Sequence, residues 1–416
     1  MHSAASKPPD AHSQPMTEST LTAASRGRAL FTITLVNFVS LAGFGLMFPV
    51  FAVYGRQIGA SGIEIAGTVA AFSFGGFLSS PIWGRLSDRY GRRNVMFAGL
   101  AIGALVYVLH IYATTPASLL VVRFVSGLTN GCFSITFAVA SDISTRETRT
   151  RDMGIVSSGF SLGFIFGPAI GGFASSVTGQ EHAFVLVSLV GAAMGLVAAA
   201  MTWFMLPETG TKHDPVSAPA AIGSIALLRL PAFATLAFIS LLASAAFSKL
   251  EAILGLFADD VLGLDPLRIG LMFAGMGVVT TITQLTLTGP CSRRLGDRGT
   301  MLVALATIGA GMLVLGCAHD VFIAAIGLTG TSLGFGLLNP ALSGLTSHAT
   351  PAAAQGMGLG LVQAANSLGR VFGPLMAGPL YDLQGPAAPL LWGAAIFAGT
   401  LVAACVFPVV ATQRTA

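Results

Sequence analysis

Charge is scarce in this sequence. Asp, Glu, Lys and Arg make up 9% of its 416 residues, and 54% are hydrophobic. Ordinary soluble domains run nearer about 25% and 45–50%. With a mean hydropathy of +0.79, the chain lacks the polar side chains to cover a soluble globule, so its apolar surface needs lipid. Cysteine is scarce as well. Cys132, Cys291, Cys317 and Cys405 stand apart without metal-ligand spacing, which argues against a disulfide framework and leaves small packing residues. The seven histidines are scattered singly, and no Ser/His/Asp grouping or phosphate-binding loop falls within an apolar run. The expectation is a protein that is not an enzyme and needs no cofactor or metal. Residues 1–28, rich in Ser, Ala, Thr and Pro, hold no apolar run. They read as a disordered tail rather than a cleavable signal.

What the chain has instead is long apolar runs. Crossing a bilayer takes about 20 mostly apolar residues, and such windows fall at 30–53, 63–83, 95–113, 117–140, 153–176, 183–206, 232–257, 268–288, 300–317, 321–343, 355–380 and 387–410. A polar stretch at 207–231 divides them six and six. The expected fold is all-α and membrane-integral, with twelve transmembrane helices in two pseudo-symmetric six-helix bundles at 29–206 and 232–410. A linker at 207–231 joins the bundles, and tails at 1–28 and 411–416 flank them. If the tail is cytoplasmic, 16 of the 21 Lys and Arg lie on that side. Arg56 and Arg268 alone lie opposite, and Arg123, Lys249 and Arg370 fall within spans. This asymmetry predicts both termini and the linker in the cytoplasm of a plasma (inner) membrane. It also accounts for the net charge of +4 without a nucleic-acid partner.

The second half copies the first. Gly84 to Arg93 aligns with Gly289 to Arg298 at an offset of 205, and Ser161 to Pro168 aligns with Ser367 to Pro374 at 206. Parallel six-helix repeats place a substrate site between the halves near mid-membrane, exposed alternately as one half rocks on the other. That architecture implies transport of a small molecule.

Several motifs stand on this frame. GRLSDRYGRRN, from Gly84 to Asn94, follows the second span; Gly84 would let helices approach and Asp88 would pair with Arg92 one turn on. Asp88 is also placed to meet the N-terminus of a neighbouring helix and tie the halves together in one state. A solvated basic loop is the plainer alternative, which leaves the glycines unexplained. Gly159 to Gly172 reads as a helix with a glycine face and a kink at Pro168, either sealing the pathway in one state or simply packing closely. The loop resembles the signature of the major facilitator superfamily. Val122-Arg123-Phe-Val-Ser-Gly127 is similar to that family's helix-4 motif, and the Gly159–Gly172 run to the helix-5 motif of its antiporters. Leu206-Pro207-Glu208-Thr209 fits as well. Within the superfamily the chain most resembles the twelve-helix drug:proton antiporters, the tetracycline- and quinolone-type efflux pumps. The resemblance implies conformational roles for Gly84, Arg85, Asp88, Arg89, Gly91, Arg92, Arg93, Gly159, Gly163, Gly167, Pro168, Gly171 and Gly172. It implies a part in proton coupling for Arg123. Where tetracycline pumps carry a helix-1 aspartate this chain has Ser40, and where quinolone-type pumps carry a helix-10 acid it has Gly336.

One carboxylate, Glu251, falls well inside an apolar span. Intramembrane acids are costly and commonly functional, and a reversible proton carrier must tolerate the neutral form. Leu250 to Asp259 also resembles the helix-7 segment of quinolone-type pumps, whose glutamate takes part in proton coupling. The plainer alternative is a Glu251 that solvates a vestibule. Lys249, two residues away, points off the other side of the helix and is expected to snorkel outward. Gln363, Asn366 and Arg370, at spacings of three and four, form one polar stripe. It would line a substrate cavity or hold helices together. Some of the 28 Phe residues could wall that cavity. The expected function is export of hydrophobic or amphiphilic small molecules in exchange for protons, driven by the proton gradient, by a functional monomer in the bilayer. The alternatives are a proton-coupled importer of the same fold and a membrane sensor that moves no solute.

Overall fold

The computed structural model describes residues 23–144, 149–208, 229–349 and 355–406. Most of the tail and linker expected from the sequence, and the segment 411–416, lie outside them. Among the described residues twelve helical spans follow one another: α1 (Ala23–Gly45, then Phe48–Gln57), α2 (Gly62–Tyr90), α3 (Arg92–His110), α4 (Pro116–Asn130, then Ser134–Ile143), α5 (Arg149–Thr178), α6 (Gln180–Met205), α7 (Pro231–Asp260), α8 (Pro266–Thr286), α9 (Thr288–Gly316), α10 (Val321–Ala349), α11 (Gln355–Gln384) and α12 (Ala388–Val406). Eleven are long and apolar enough to cross a membrane. The twelfth, α11, is diluted by the polar stripe of Gln363, Asn366 and Arg370.

Local chemistry sets the ends. Ser61 caps α2 in a reciprocal capping box with Glu64, and Thr115 caps α4 ahead of Pro116. Asp265 caps α8 by accepting the Arg268 N–H. Gly91 turns the chain between α2 and α3 at φ 94°, and Gly296 breaks α9 at φ 69°. Only glycine adopts such backbone freely. The two are 205 residues apart, so the sequence repeat is also a conformational one. α1 begins at Ala23, inside the segment expected as tail, and Arg26 is held there by Asp152 of α5 at 2.5 Å.

The first six helices pack as one bundle and the last six as another. α1 lies against α5, α2 against α4 and α3 against α6; α7 lies against α11, and α9 against α10 and α12. Across the middle, α5 meets α8 and α2 meets α11.

Candidate functional site

The seam between α7 and α11 is built from small residues. Ser240, Ser244 and Ser248, one turn apart on α7, donate to the backbone carbonyls of Val362, Asn366 and Arg370 at 3.4, 2.7 and 3.1 Å. Opposite them, a Cβ added to Gly369 or Gly373 would run into the α7 backbone at Leu241 or Ala245. Backbones pressed this closely fix the register of the two helices. That register brings Arg370 Nη2 to 2.9 Å from Glu251 Oε2. The Glu251 side chain is 3% exposed and that of Arg370 is 35%.

This ion pair forms part of the wall of a cavity of about 390 Å³ between the bundles. The first bundle contributes Phe44, Phe160 and Phe164; the second adds Phe247, Phe335 and Asn366. Glu251, Asn366 and Arg370 therefore meet at one surface. Gln363 is exposed and lies outside that lining. A cavity of this kind can hold an apolar or aromatic molecule against one internally neutralised charge pair.

Arg123 lies elsewhere. It is 3% exposed inside the first bundle, with its guanidinium over the Phe51 ring at 4.2 Å and within 6 Å of Phe44 and Phe72. These aromatic faces supply the attraction a buried cation needs. It borders a separate void of about 50 Å³ together with Ser40, Tyr107 and His110. Phe44 is common to both cavities.

Lys249 does not snorkel. It is 2% exposed, and its Nζ is buried without a hydrogen-bond partner among the described residues. A turn of α7 that presses on Gly373 and leans toward Gly393 of α12 leaves the side chain no way out to the interface.

In the loop motif, Asp88 pairs with Arg92 at 2.5 Å, and Arg92 also reaches Asp142 at 3.1 Å. Asp88 stays 63% exposed. Arg93 lies over the Trp203 ring, and its N–H donates to Glu208 at 3.3 Å. That contact joins the loop to the Leu206–Thr209 motif. Arg85 and Arg89 are exposed. Gly84 was expected to permit a close helix approach; a Cβ there would meet nothing within 4 Å, because its face of α2 is open. The α5 glycines do press on neighbours. Gly159, Gly163, Gly167 and Gly171 pack on the α1 backbone, while Gly172 meets Pro266 and Leu267 of α8, and Gly270 of α8 meets Pro168. Gly336 packs on Thr283 of α8.

The bundles are tied together at one end. Asp382 of α11 accepts the N–H groups of Gly62 and Ile63, the first residues of α2, at 3.1 and 2.8 Å. Arg56 pairs with Asp260 at 3.0 Å, and the Tyr381 hydroxyl donates to the same carboxylate at 2.6 Å. Phe48 stacks on Phe273. At the opposite end, the ion pairs among the described residues (Arg26–Asp152, Asp88–Arg92–Asp142 and the long Asp297–His348 contact) stay within one bundle. Sequence reasoning missed both the serine series and the Asp382 cap. The four-residue spacing of the serines was the available signal for the first.

Comparison with known proteins matches this architecture. The model of the Major Facilitator Superfamily covers residues 33–264 and 236–416. Multidrug resistance protein 2 of Bacillus subtilis (strain 168) is 30% identical over 368 residues, 86% of this chain and 90% of the relative. The class G tetracycline resistance protein of Vibrio anguillarum is 28% identical over 372 residues, 86% and 91% of the two chains. Among solved structures, nucleoside transporter NupG superposes with a TM-score of 0.71 at 16% identity, covering 91% of this chain and 97% of its own. The chain is a multi-pass membrane transporter, not an enzyme, and belongs to the Major Facilitator Superfamily.

Proposed function

We propose that this transporter exports hydrophobic or amphiphilic small molecules in exchange for protons, with Glu251 as the proton carrier. The observation that carries the reading is the buried Glu251–Arg370 pair in the aromatic wall of the cavity between the bundles. A proton on Glu251 removes its charge and releases Arg370, so proton loading is felt on α7 and α11 at once. The names of the multidrug and tetracycline resistance relatives support drug-like cargo. The positive-inside distribution of Lys and Arg supports cytoplasmic termini. The tied end then faces outward, and the cavity belongs to an inward-open state. On this reading Arg123 modulates coupling from inside the first bundle, while the Gly84–Arg93 loop and the Gly159–Gly172 helix act as conformational elements.

The test is cargo transport by full-length protein in proteoliposomes under an imposed pH gradient. A lipophilic dye should move against the proton flux in wild type, and Glu251→Gln should abolish the pH dependence while leaving dye binding intact. Gradient-driven transport that survives Glu251→Gln would sink the assignment. Dye moving in the same direction as protons would replace export with symport.

A further inference from the structure

A third void shares no lining residue with the central cavity or with the void beside Arg123. It is a groove of about 450 Å³ between α8 and α10, running from Arg268 and Val321 at one end to Val279 and Ser332 at the other. Each wall runs twelve residues, from Arg268 to Val279 and from Val321 to Ser332, which is about 16 Å at helical rise. That is one leaflet of a hydrocarbon core about 30 Å thick. Leu271 and Gly275 on one wall and Val321, Ala325 and Thr329 on the other are exposed, so the groove opens on the outside of the second bundle. A Cβ at Gly275 would meet nothing within 4 Å, which marks open space midway down. Beyond the floor, Thr280 of the central cavity donates to the Ser332 carbonyl at 3.3 Å and separates the two voids.

The mouth carries a cation. Arg268 is 67% exposed, and its nearest carboxylate oxygen, from Asp265, is 3.8 Å away. Asp265 already accepts the Arg268 backbone N–H as the cap of α8. Apart from this long contact with Asp265, the guanidinium has no hydrogen-bond partner among the described residues, and it sits at headgroup level above an apolar slot as deep as an acyl chain is long.

We propose that this groove binds a phospholipid, with one acyl chain between α8 and α10 and the phosphate on Arg268. Anionic headgroups are favoured, because a cation at the membrane surface attracts them without an offsetting ligand charge. Both walls belong to one bundle, so the lipid stays bound while the bundles rock. The site goes beyond the transport reading and does not depend on it.

Native mass spectrometry of the full chain, titrated with phosphatidylglycerol or phosphatidylcholine, tests the assignment. Wild type should hold one phosphatidylglycerol with about fivefold preference over phosphatidylcholine, as one surface cation provides. Gly275→Phe should fill the groove and remove the bound lipid, and Arg268→Gln should erase the preference. Thr329→Phe, on the facing wall, repeats the filling test if Gly275→Phe does not fold. Unchanged occupancy in the filled groove, or an unchanged preference in Arg268→Gln, would overturn the proposal. Neither readout measures transport, so it can fail while the exporter reading stands.

Discussion

At the scale of single residues, the Glu251–Arg370 pair is asymmetric, and the asymmetry has a consequence. Removing one partner of a buried pair leaves the other charge uncompensated, at a cost of about 3–5 kcal/mol. Glu251 is the member kept from water, while Arg370 reaches the cavity. Arg370→Gln should therefore destabilise the protein more than Glu251→Gln at neutral pH, because a stranded guanidinium can be hydrated, whereas a stranded buried carboxylate must first take up a proton. The double variant should recover part of the loss. Thermal unfolding of the purified single and double variants measures this cycle; equal losses for the two single variants would contradict the burial argument. The sequence named both residues but not their pairing, because they lie 119 positions apart and helical periodicity relates only neighbours on one helix. It did show that Lys249 and Glu251 point different ways. It placed Lys249 wrongly, because whether a lysine stem can reach the interface depends on which helices cover it.

At the scale of helices, glycine spacing marks a seam without saying which glycines use it. Gly163 of α5 presses on Phe38 and Leu41 of α1, whereas Gly84 of α2 faces open space. Gly84→Ala should raise stability by about 0.5–1 kcal/mol, the ordinary gain from replacing a mid-helix glycine. Gly163→Ala should lower the folded yield, because its Cβ would approach the α1 backbone to 2.8 Å. Size-exclusion yield and unfolding midpoint distinguish the two; a destabilised Gly84→Ala would show that the motif glycine has a packing role. The serine series makes a gentler claim. Interhelical hydrogen bonds in membranes are worth about 0.6 kcal/mol on average, so Ser244→Ala should cost no more than that order. Most of the α7–α11 register then rests on Gly369 and Gly373. The twelve spans were legible because apolar length is a local property, and the repeat was legible as a fixed offset. The broken α9 and its turn at Gly296 were anticipated only in that this glycine aligns with Gly91.

At the scale of the whole molecule, the two bundles move relative to each other only if the tied end lets go. The strongest link there is Asp382, whose carboxylate accepts two backbone N–H groups at the start of α2. Charge and helix dipole both favour it at that position. Asp382→Asn keeps the shape and removes the charge, and a charge-assisted hydrogen bond is worth about 1.5–3 kcal/mol. The equilibrium should move toward opening at this end by about tenfold or more. In the second link, Arg56–Asp260–Tyr381, removing the Tyr381 hydroxyl leaves the Arg56–Asp260 ion pair in place, so Tyr381→Phe should shift the equilibrium less. Spin labels at Ile58 and Leu383, in a chain freed of its four cysteines, report the separation directly by pulsed resonance. Wild type should show a short distance, Asp382→Asn a longer component, and Asp88→Asn no change at this end, because Asp88 sits with Arg92 at the opposite end of α2. A distance distribution unmoved by Asp382→Asn would mean that the apolar contacts of Phe48 on Phe273 and Gly172 on α8 hold the closure without it.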